Sequence, residues 1–203
     1  MDPDAAAHLA AADPVLARLL EELGPPDEIA PTGDPYGALL RAIVGQQLSV
    51  TAARAIHGRL LERFGGRPPT PREVLDDDRE ALRTSVGLSH AKVAYLRSLA
   101  EHVLSGELEL DRLRELDDEA LTAELIAVKG VGSWTAQVFL MFELGRRDVL
   151  AAGDLGIRRA VQRAYGLDAL PAIADVERLG EPWRPYRSAA CLLLWRSLDN
   201  VPA

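Results

Sequence analysis

The sequence predicts an all-α protein, and three observations favour that fold class. Aromatic residues make up only 5% of the 203 residues, while Ala, Leu and Arg are abundant, a composition typical of helices rather than β-sandwiches or barrels. Apolar residues recur three and four positions apart, whereas no segment alternates apolar and polar residues as a half-buried strand does. Capping residues flank the periodic segments. The hydrophobic share of 48% is enough for a packed core.

Helix boundaries follow from capping residues in chain order. Asp, Ser or Thr stands at most of the predicted starts, often with Pro in the first turn, and Gly follows several of the predicted ends. Thr70 and Glu73 have the spacing of a capping box. The predicted helices begin near residues 13, 34, 49, 70, 89, 117, 133, 154 and 185. Ends that can be assigned lie near residues 24, 65, 106, 127, 144, 165 and 198.

Several classes of protein are excluded by composition. The single cysteine, Cys191, permits no intrachain disulfide and no Cys-ligated zinc or iron–sulfur site. The first four residues include two aspartates, which is unlike a secretory signal. No apolar run approaches the roughly 20 residues that span a bilayer. We therefore expect a cytoplasmic protein that does not enter the membrane.

The charge is unevenly distributed along the chain. The net charge of −8 argues against a general nucleic-acid-binding surface. Residues 125–165 nevertheless contain six basic and three acidic side chains, so this segment is locally positive. An acidic chain can meet a polyanion through such a segment, although ordinary solvated charge explains the pattern equally well.

We expect a single functional domain over residues 1–203. Within it, residues 1–34 form an acidic helical segment, and residues 35–115 form a first helical lobe. Residues 116–203 contain a glycine-rich turn, Asp154 at the start of a predicted helix, and the last helices.

The glycine-rich turn is the most informative segment. Gly130 and Gly132 bracket one apolar residue directly before a predicted helix. Glycine permits positive φ and close backbone approach, and N–H groups at a helix N-terminus favour an anion such as phosphate. The alternative is a tight helix–helix turn that needs glycine for steric reasons alone.

Five ordered motifs together resemble the helix–hairpin–helix (HhH-GPD) superfamily of base-excision DNA glycosylases. They are the turn, Asp154 some twenty residues later, and the segments 43–49, 87–92 and 183–188 followed by Trp195. The 3-methyladenine DNA glycosylase II type, which removes alkylated bases, is the most similar branch. The resemblance implies a two-lobed all-α fold with the active-site cleft between the lobes. The amino-terminal β lobe of larger relatives has no counterpart in the sequence.

Asp154 matches the catalytic aspartate of that family. Hydrolysis of an N-glycosidic bond passes through an oxocarbenium-like sugar, which a fixed carboxylate stabilises. A plain N-cap is the alternative role, and the two roles are compatible. The sequence shows no second carboxyl group that could act as a general acid. N3- or N7-methylated purines do not need one, because they are good leaving groups without protonation.

Trp134 and Trp195 match tryptophans of the family's base pocket. Aromatic faces attract a cationic base by about 0.5–2 kcal/mol each. Core packing is the alternative for Trp195, which lies in a Leu-rich run, and also for Trp134. The family's tyrosine one turn further on is replaced by Val138, which makes the pocket less aromatic.

The resemblance also implies DNA contacts outside the pocket. Gln47 matches the residue that fills the gap left by the flipped base, with a hydrogen bond to the adjacent helix end as the alternative. The carbonyls of Ile126, Val128 and Val131 match a structural site for Na⁺ or K⁺. The remaining candidate DNA contacts are Lys92, Lys129, Gly130, Val131, Gly132, Thr135 and Arg158.

Relatives that also cleave the strand carry a nucleophilic lysine where this chain has Trp134, so no Schiff base can form there. The resemblance therefore predicts a monofunctional, monomeric glycosylase of double-stranded damaged DNA with no iron–sulfur cluster. Three alternatives stay open: a non-catalytic DNA-binding module, a glycosylase for deaminated or oxidised bases, and a helical interaction protein without nucleic acid.

Overall fold

Twelve α-helices and two short 3₁₀ helices form the part of the chain that the structure, a computed structural model, describes: residues 1–27 and 30–198. That part contains no β-strand, which confirms the predicted fold class. The 3₁₀ helices span Leu110–Arg114 and Glu181–Trp183. The α-helices are α1 Pro3–Ala12, α2 Pro14–Leu23, α3 Pro35–Gly45, α4 Val50–Arg63, α5 Pro71–Asp76, α6 Arg79–Val86, α7 His90–Ser105, α8 Asp118–Ala127, α9 Ser133–Phe142, α10 Leu155–Tyr165, α11 Ile173–Gly180 and α12 Arg187–Arg196.

The predicted caps are confirmed where the structure describes them. The Asp13 carboxylate accepts the N–H of Val15 at 2.8 Å at the start of α2. Thr70 and Glu73 form the reciprocal capping box of α5. Each such bond satisfies an N–H group that the helix itself leaves without an acceptor.

Three helices were not predicted from the sequence. Helix α1 is rich in alanine and therefore carries little apolar periodicity. Helices α6 and α11 have only eight residues each, which is too short for a periodic pattern to stand out. Predicted ends were also long by two residues at both α9 and α12, in the part of each helix where the last turn frays.

The chain forms two compact units. One unit combines Met1–Pro31 with Leu140–Pro202, so the first two helices pack with the last ones. Asp13 joins these distant segments: its carboxylate accepts the indole N–H of Trp183 at 2.9 Å and the hydroxyl of Tyr165. Because Asp13 and Trp183 are both buried, these bonds satisfy polar groups that would otherwise destabilise the core.

The other unit is Thr32–Phe139. Helix α7 packs against α3, α5 and α6, and α3 also packs on α4. The apolar residues Leu39, Leu40, Ile43 and Val44 of α3 are fully buried at helical spacing.

No helix in the described residues is long and apolar enough to cross a membrane.

Candidate active site

The hairpin turn, residues 128–132, connects α8 to α9 in the unit Thr32–Phe139. Gly130 has φ +89, in the left-handed region that favours glycine. A Cβ atom at Gly130 would lie 2.1 Å from Cγ of Tyr95, whose ring covers this residue from α7. Glycine is therefore required at this position for two reasons: the backbone has a positive φ, and the Tyr95 ring leaves no space for a Cβ atom.

Gly132 differs from the expectation of positive φ at both glycines. Only Gly130 is in the left-handed region. A Cβ atom at Gly132 would contact nothing within 4 Å, so its α-carbon faces open space. Within the turn, the backbone N–H of Val128 donates to the Leu125 carbonyl and the backbone N–H of Val131 donates to the Val128 carbonyl. Gly132 is exposed directly before α9, and the N-terminus of a helix is a position that favours an anion.

Two hairpin residues predicted to contact DNA have buried side chains. Val131 is 4% exposed and Thr135 is 1% exposed. The Thr135 hydroxyl accepts an N–H of the Gln46 side chain at 2.9 Å, and the same nitrogen donates to the Gly130 carbonyl at 2.8 Å. Any contribution of Val131 and Thr135 to DNA binding is therefore made through backbone or packing rather than through an exposed side chain.

Gln46 belongs to the Gln47 loop, residues 46–49, which connects α3 to α4. Gln47 is exposed and has φ +57, and it is the one non-glycine residue with positive φ in the described chain. Such a conformation costs of order 1–3 kcal/mol unless surrounding contacts enforce it, and it is concentrated at functional sites. The predicted inserting residue thus lies at an exposed, strained loop position.

Lys92 lies at the first turn of α7 and is half-buried. Its ammonium donates to the carbonyls of Val44 at 2.7 Å and Gln46 at 2.9 Å, at the C-terminal end of α3. Burial lowers the pKa of Lys92 from its ordinary value. The geometry gives this lysine a capping role on α3, and its predicted phosphate contact stays a prediction.

The other two basic candidates are placed differently. Lys129 is exposed in the hairpin turn, as a phosphate contact requires. Arg158 is half-buried on α10, and its Nε donates to the Pro171 carbonyl at 2.8 Å. Arg158 therefore binds the segment between α10 and α11. Its predicted contact with DNA stays a prediction.

Asp154 lies in the unit that contains residues 140–198, at the N-cap of α10. Its Oδ1 accepts the backbone N–H of Ile157 and the indole N–H of Trp195, both at 2.8 Å. The first bond is the N-cap interaction anticipated from the sequence; the second comes from a residue 41 positions away. We call Asp154, Ile157 and Trp195 the Asp154 corner.

Trp195 is completely buried on α12. Its ring lies 6.1 Å from that of Phe142, centroid to centroid, at an interplanar angle of 35°. The sequence allows two interpretations of Trp195, as a base-pocket residue or as part of the core. Its surroundings are those of a core residue, and its indole N–H also reaches the candidate catalytic carboxylate. A buried indole N–H needs such an acceptor.

The segment before Asp154 is held to the start of α12 by polar contacts. Ser188 accepts the N–H of Val149 at 3.0 Å and donates to the Arg146 carbonyl at 2.6 Å. Arg187 donates to the Asp148 carboxylate at 2.6 Å through Nε. These bonds limit movement of the chain that leads into the Asp154 corner.

Trp134 lies in the first turn of α9 and is half-buried, so part of its indole surface is open to solvent. Val138, one turn further on, is 7% exposed. Trp134 and Val138 belong to the unit of the hairpin turn, whereas Asp154 and Trp195 belong to the other unit.

The carbonyls of Ile126, Val128 and Val131 have the oxygen chemistry that an alkali cation accepts. The Val128 carbonyl accepts the N–H of Val131 at 3.0 Å, which uses one of its two lone pairs. A cation at this position therefore stays a prediction. Within residues 1–27 and 30–198, no group of three or more His, Cys, Asp or Glu side chains is arranged to hold a metal ion.

A helical hairpin with a glycine turn, followed by an aspartate at the start of a later helix, defines the class of helix–hairpin–helix DNA repair proteins. Residues 40–185 match the family model described as "HhH-GPD superfamily base excision DNA repair protein". The chain belongs to this superfamily, and the resemblance stated from the sequence is confirmed.

Several relatives of the chain are named DNA-3-methyladenine glycosylase. It is 35% identical to DNA-3-methyladenine glycosylase 1 of Schizosaccharomyces pombe over 194 residues, covering 94% of this chain and 85% of that protein. It is 29% identical to Escherichia coli DNA-3-methyladenine glycosylase 2, covering 80% of this chain and 57% of that one. The structure of S. pombe 3-methyladenine DNA glycosylase in complex with abasic DNA superimposes with a TM-score of 0.91, at 34% identity and with 97% of each chain covered.

Sequence reasoning missed two residues of the hairpin environment. Gln46 was part of a recognised motif, but its neighbour Gln47 received the functional role. Tyr95 carried no signal, because a tyrosine in a long helix gives no indication that its ring covers a glycine 35 positions away.

Proposed function

We propose that this protein is a monofunctional DNA glycosylase that hydrolyses the N-glycosidic bond of alkylated purines in double-stranded DNA. The observation that carries the proposal is the Asp154 corner, where one carboxylate oxygen is fixed by two N–H donors at a helix N-terminus. A carboxylate held in this way is suited to stabilise positive charge on a sugar without reorganising during the reaction.

The chemistry requires only one such group when the base is already cationic. In an N3- or N7-methylated purine, the bond from the base to C1′ breaks and its electron pair neutralises the leaving base. The sugar then carries positive charge next to Asp154, and a water oxygen forms the new bond to C1′ and loses a proton. A neutral base would need an acid to protonate it, so the single carboxylate favours alkylated purines.

Trp134 and Trp195 take different roles in this proposal. The partly exposed indole of Trp134 presents an aromatic face to a cationic base, which is attracted to the ring quadrupole. Trp195 is buried and donates to Asp154, so it acts as a positioning residue for the carboxylate. Val138 in place of an aromatic residue reduces the area available for stacking.

The hairpin turn and the Gln47 loop supply the contacts with DNA. Backbone N–H groups at Gly132 and the exposed ammonium of Lys129 bind phosphate independently of sequence. Gln47, projecting from an exposed loop, fills the space that the flipped base leaves.

No lysine of the described chain is available at the position that a lyase needs. Trp134 replaces that residue, and Lys92 and Lys129 are the only lysines of the sequence. The Lys92 ammonium is engaged by two carbonyls, and Lys129 lies in the turn that binds phosphate. We therefore propose that the enzyme releases intact abasic DNA. We also propose that it acts as a monomer in the cytoplasm.

A panel of duplexes tests this function. Each duplex carries one 3-methyladenine, 7-methylguanine, 1-methyladenine, hypoxanthine or uracil, and release of the free base is measured by chromatography. We expect release of the first two bases to be fastest. Release of uracil or hypoxanthine alone would replace the proposed substrate class, and binding without release of any base would indicate a non-catalytic DNA-binding protein.

A further inference from the structure

We propose that Gln46 and Lys92 are positioning residues that couple the Gln47 loop to the hairpin turn. When the hairpin turn binds a DNA phosphate, these two residues hold Gln47, the inserting residue, at a fixed position relative to the duplex. This inference rests on the proposed function, since it assigns two residues to the base-flipping step. Both residues, the loop and the turn lie within the unit Thr32–Phe139.

The Gln46 side chain connects the loop directly to the turn. Its Nε2 donates to the Gly130 carbonyl at 2.8 Å and to the Thr135 hydroxyl at 2.9 Å. One amide nitrogen has two hydrogens, so both are used in bridging the turn to the first helical turn of α9. The bridge is partly buried, where hydrogen bonds are less exposed to competition from water.

Lys92 also contacts the Gln47 loop, through a backbone carbonyl. Its ammonium donates to the carbonyls of Val44, in the last turn of α3, and Gln46, the residue before Gln47. These bonds are charge-assisted, and a cation at the C-terminal end of α3 is also favoured by the helix dipole.

Helix α7 connects the two contacts. Tyr95 lies three residues after Lys92, so both side chains project from one face of α7. The Tyr95 ring covers Gly130 of the turn while Lys92 binds the loop carbonyls. The loop and the turn are therefore fastened to each other through Gln46 and to a common helix through Lys92 and Tyr95.

This arrangement accounts for the backbone of Gln47. A non-glycine residue at φ +57 persists when its neighbours determine its conformation. The preceding residue is fixed at its carbonyl by Lys92 and at its side chain by the turn. If those bonds are lost, Gln47 can relax to negative φ, and its side chain then points in another direction.

The first test measures insertion without any need for base excision. The duplex carries a tetrahydrofuran abasic analogue next to 2-aminopurine, whose fluorescence changes when a side chain enters the stack. For Gln46→Met, which keeps side-chain length without the N–H donors, we expect the insertion rate to fall about 10-fold, on the scale of misplaced groups. Lys92→Met should act in the same direction. Gln162→Met, the same chemical change on α10, is the matched control and should leave the rate unchanged.

The second test is a double-mutant cycle between Gln46→Met and Gln47→Ala, read out as single-turnover excision at saturating enzyme. If Gln46 acts through Gln47, adding Gln46→Met to Gln47→Ala changes the rate by no more than about 2-fold. Independent, multiplying effects would overturn the coupling. Thr135→Val, which removes one acceptor of the bridge without shortening the side chain, provides a second variant if Gln46→Met does not fold.

The two hypotheses fail in different ways. If the wild-type protein excises no base, the proposed function is wrong, while insertion at the tetrahydrofuran site still measures the coupling. If the wild-type protein excises bases but Gln46→Met and Lys92→Met insert at the wild-type rate, the coupling alone is wrong.

Discussion

The hairpin turn and the Asp154 corner use the start of a helix in different ways. At the turn, the groups proposed to bind DNA are backbone N–H groups and the exposed ammonium of Lys129, while Gly132 has no side chain and Val131 is buried. At the corner, the proposed functional group is the Asp154 side chain, and the backbone N–H of Ile157 holds it in place. The first arrangement suits any phosphate, whereas the second suits one reacting centre.

This difference predicts how each region responds to substitution. A change at the turn alters the path of the backbone and should weaken binding to all DNA. A change at the corner can leave the backbone intact and should slow the chemical step alone. If one substitution changed both binding and chemistry, the two regions would not be functionally separate.

Asp154→Asn should have the largest effect. The amide oxygen can still accept the N–H groups of Ile157 and Trp195, so the corner keeps its geometry but loses its negative charge. We expect single-turnover excision to fall at least ~100-fold, with affinity for undamaged duplex changed by less than about 2-fold. Wild-type excision by the variant would remove Asp154 from the mechanism.

Gly130→Val should weaken binding about 30-fold for damaged and undamaged duplex alike. A β-branched residue opposes φ +89 and would also collide with the Tyr95 ring. Gly132→Ala is the matched variant, because its Cβ contacts nothing in the protein. We expect Gly132→Ala to keep its melting temperature and still lose affinity where phosphate approaches the turn. A Gly130→Val variant impaired only on damaged DNA would place the turn in the base pocket.

Trp195→Phe should slow excision about 10-fold at saturating DNA, because Asp154 loses the indole N–H donor that helps to orient it. The buried ring is also smaller, so a loss of stability of about 1–2 kcal/mol is expected from the resulting cavity. Measuring KM alongside kcat separates the roles: a rise in KM with unchanged kcat would mean that Trp195 binds the base instead of positioning the carboxylate.

The two lysines give the smallest but most specific contrast. A lysine that binds phosphate releases counterions, contributing about 0.9 to the slope of log affinity against log salt. Lys129→Met should therefore reduce the slope by about that amount and lower affinity a few-fold. Lys92→Met should leave the slope unchanged, because its ammonium binds the Val44 and Gln46 carbonyls. Equal reductions in slope would restore Lys92 as a phosphate contact.

Much of the fold and part of the site could be predicted from the sequence. Caps such as Thr70 and the periodic face of α3 are local signals, and a local signal is sufficient for a helix. The packing of α1 and α2 with the last helices depends on Asp13 reaching Tyr165 and Trp183, which no local pattern records. Short helices α6 and α11 likewise depend on tertiary packing more than on their own sequence.

The same limit applies to the site. The glycine turn and the helix start at Asp154 could be predicted because glycines and N-cap residues are visible in the sequence, and the family resemblance supplied their expected roles. The bond from Trp195 to Asp154 and the cover of Tyr95 over Gly130 join residues far apart in the chain. Only the three-dimensional structure shows that Trp195 lies buried against the carboxylate and that Lys92 caps α3.

The central claim is that this protein removes an alkylated purine and leaves the DNA strand intact. The most direct measurement is a single-turnover reaction with a duplex that carries one 7-methylguanine in an end-labelled strand. Half of each sample is treated with alkali before denaturing electrophoresis. We predict a full-length strand without alkali and a cleaved strand with it, together with no protein–DNA adduct after borohydride treatment. Strand cleavage without alkali, or a strand that resists alkali at every time point, would contradict the account.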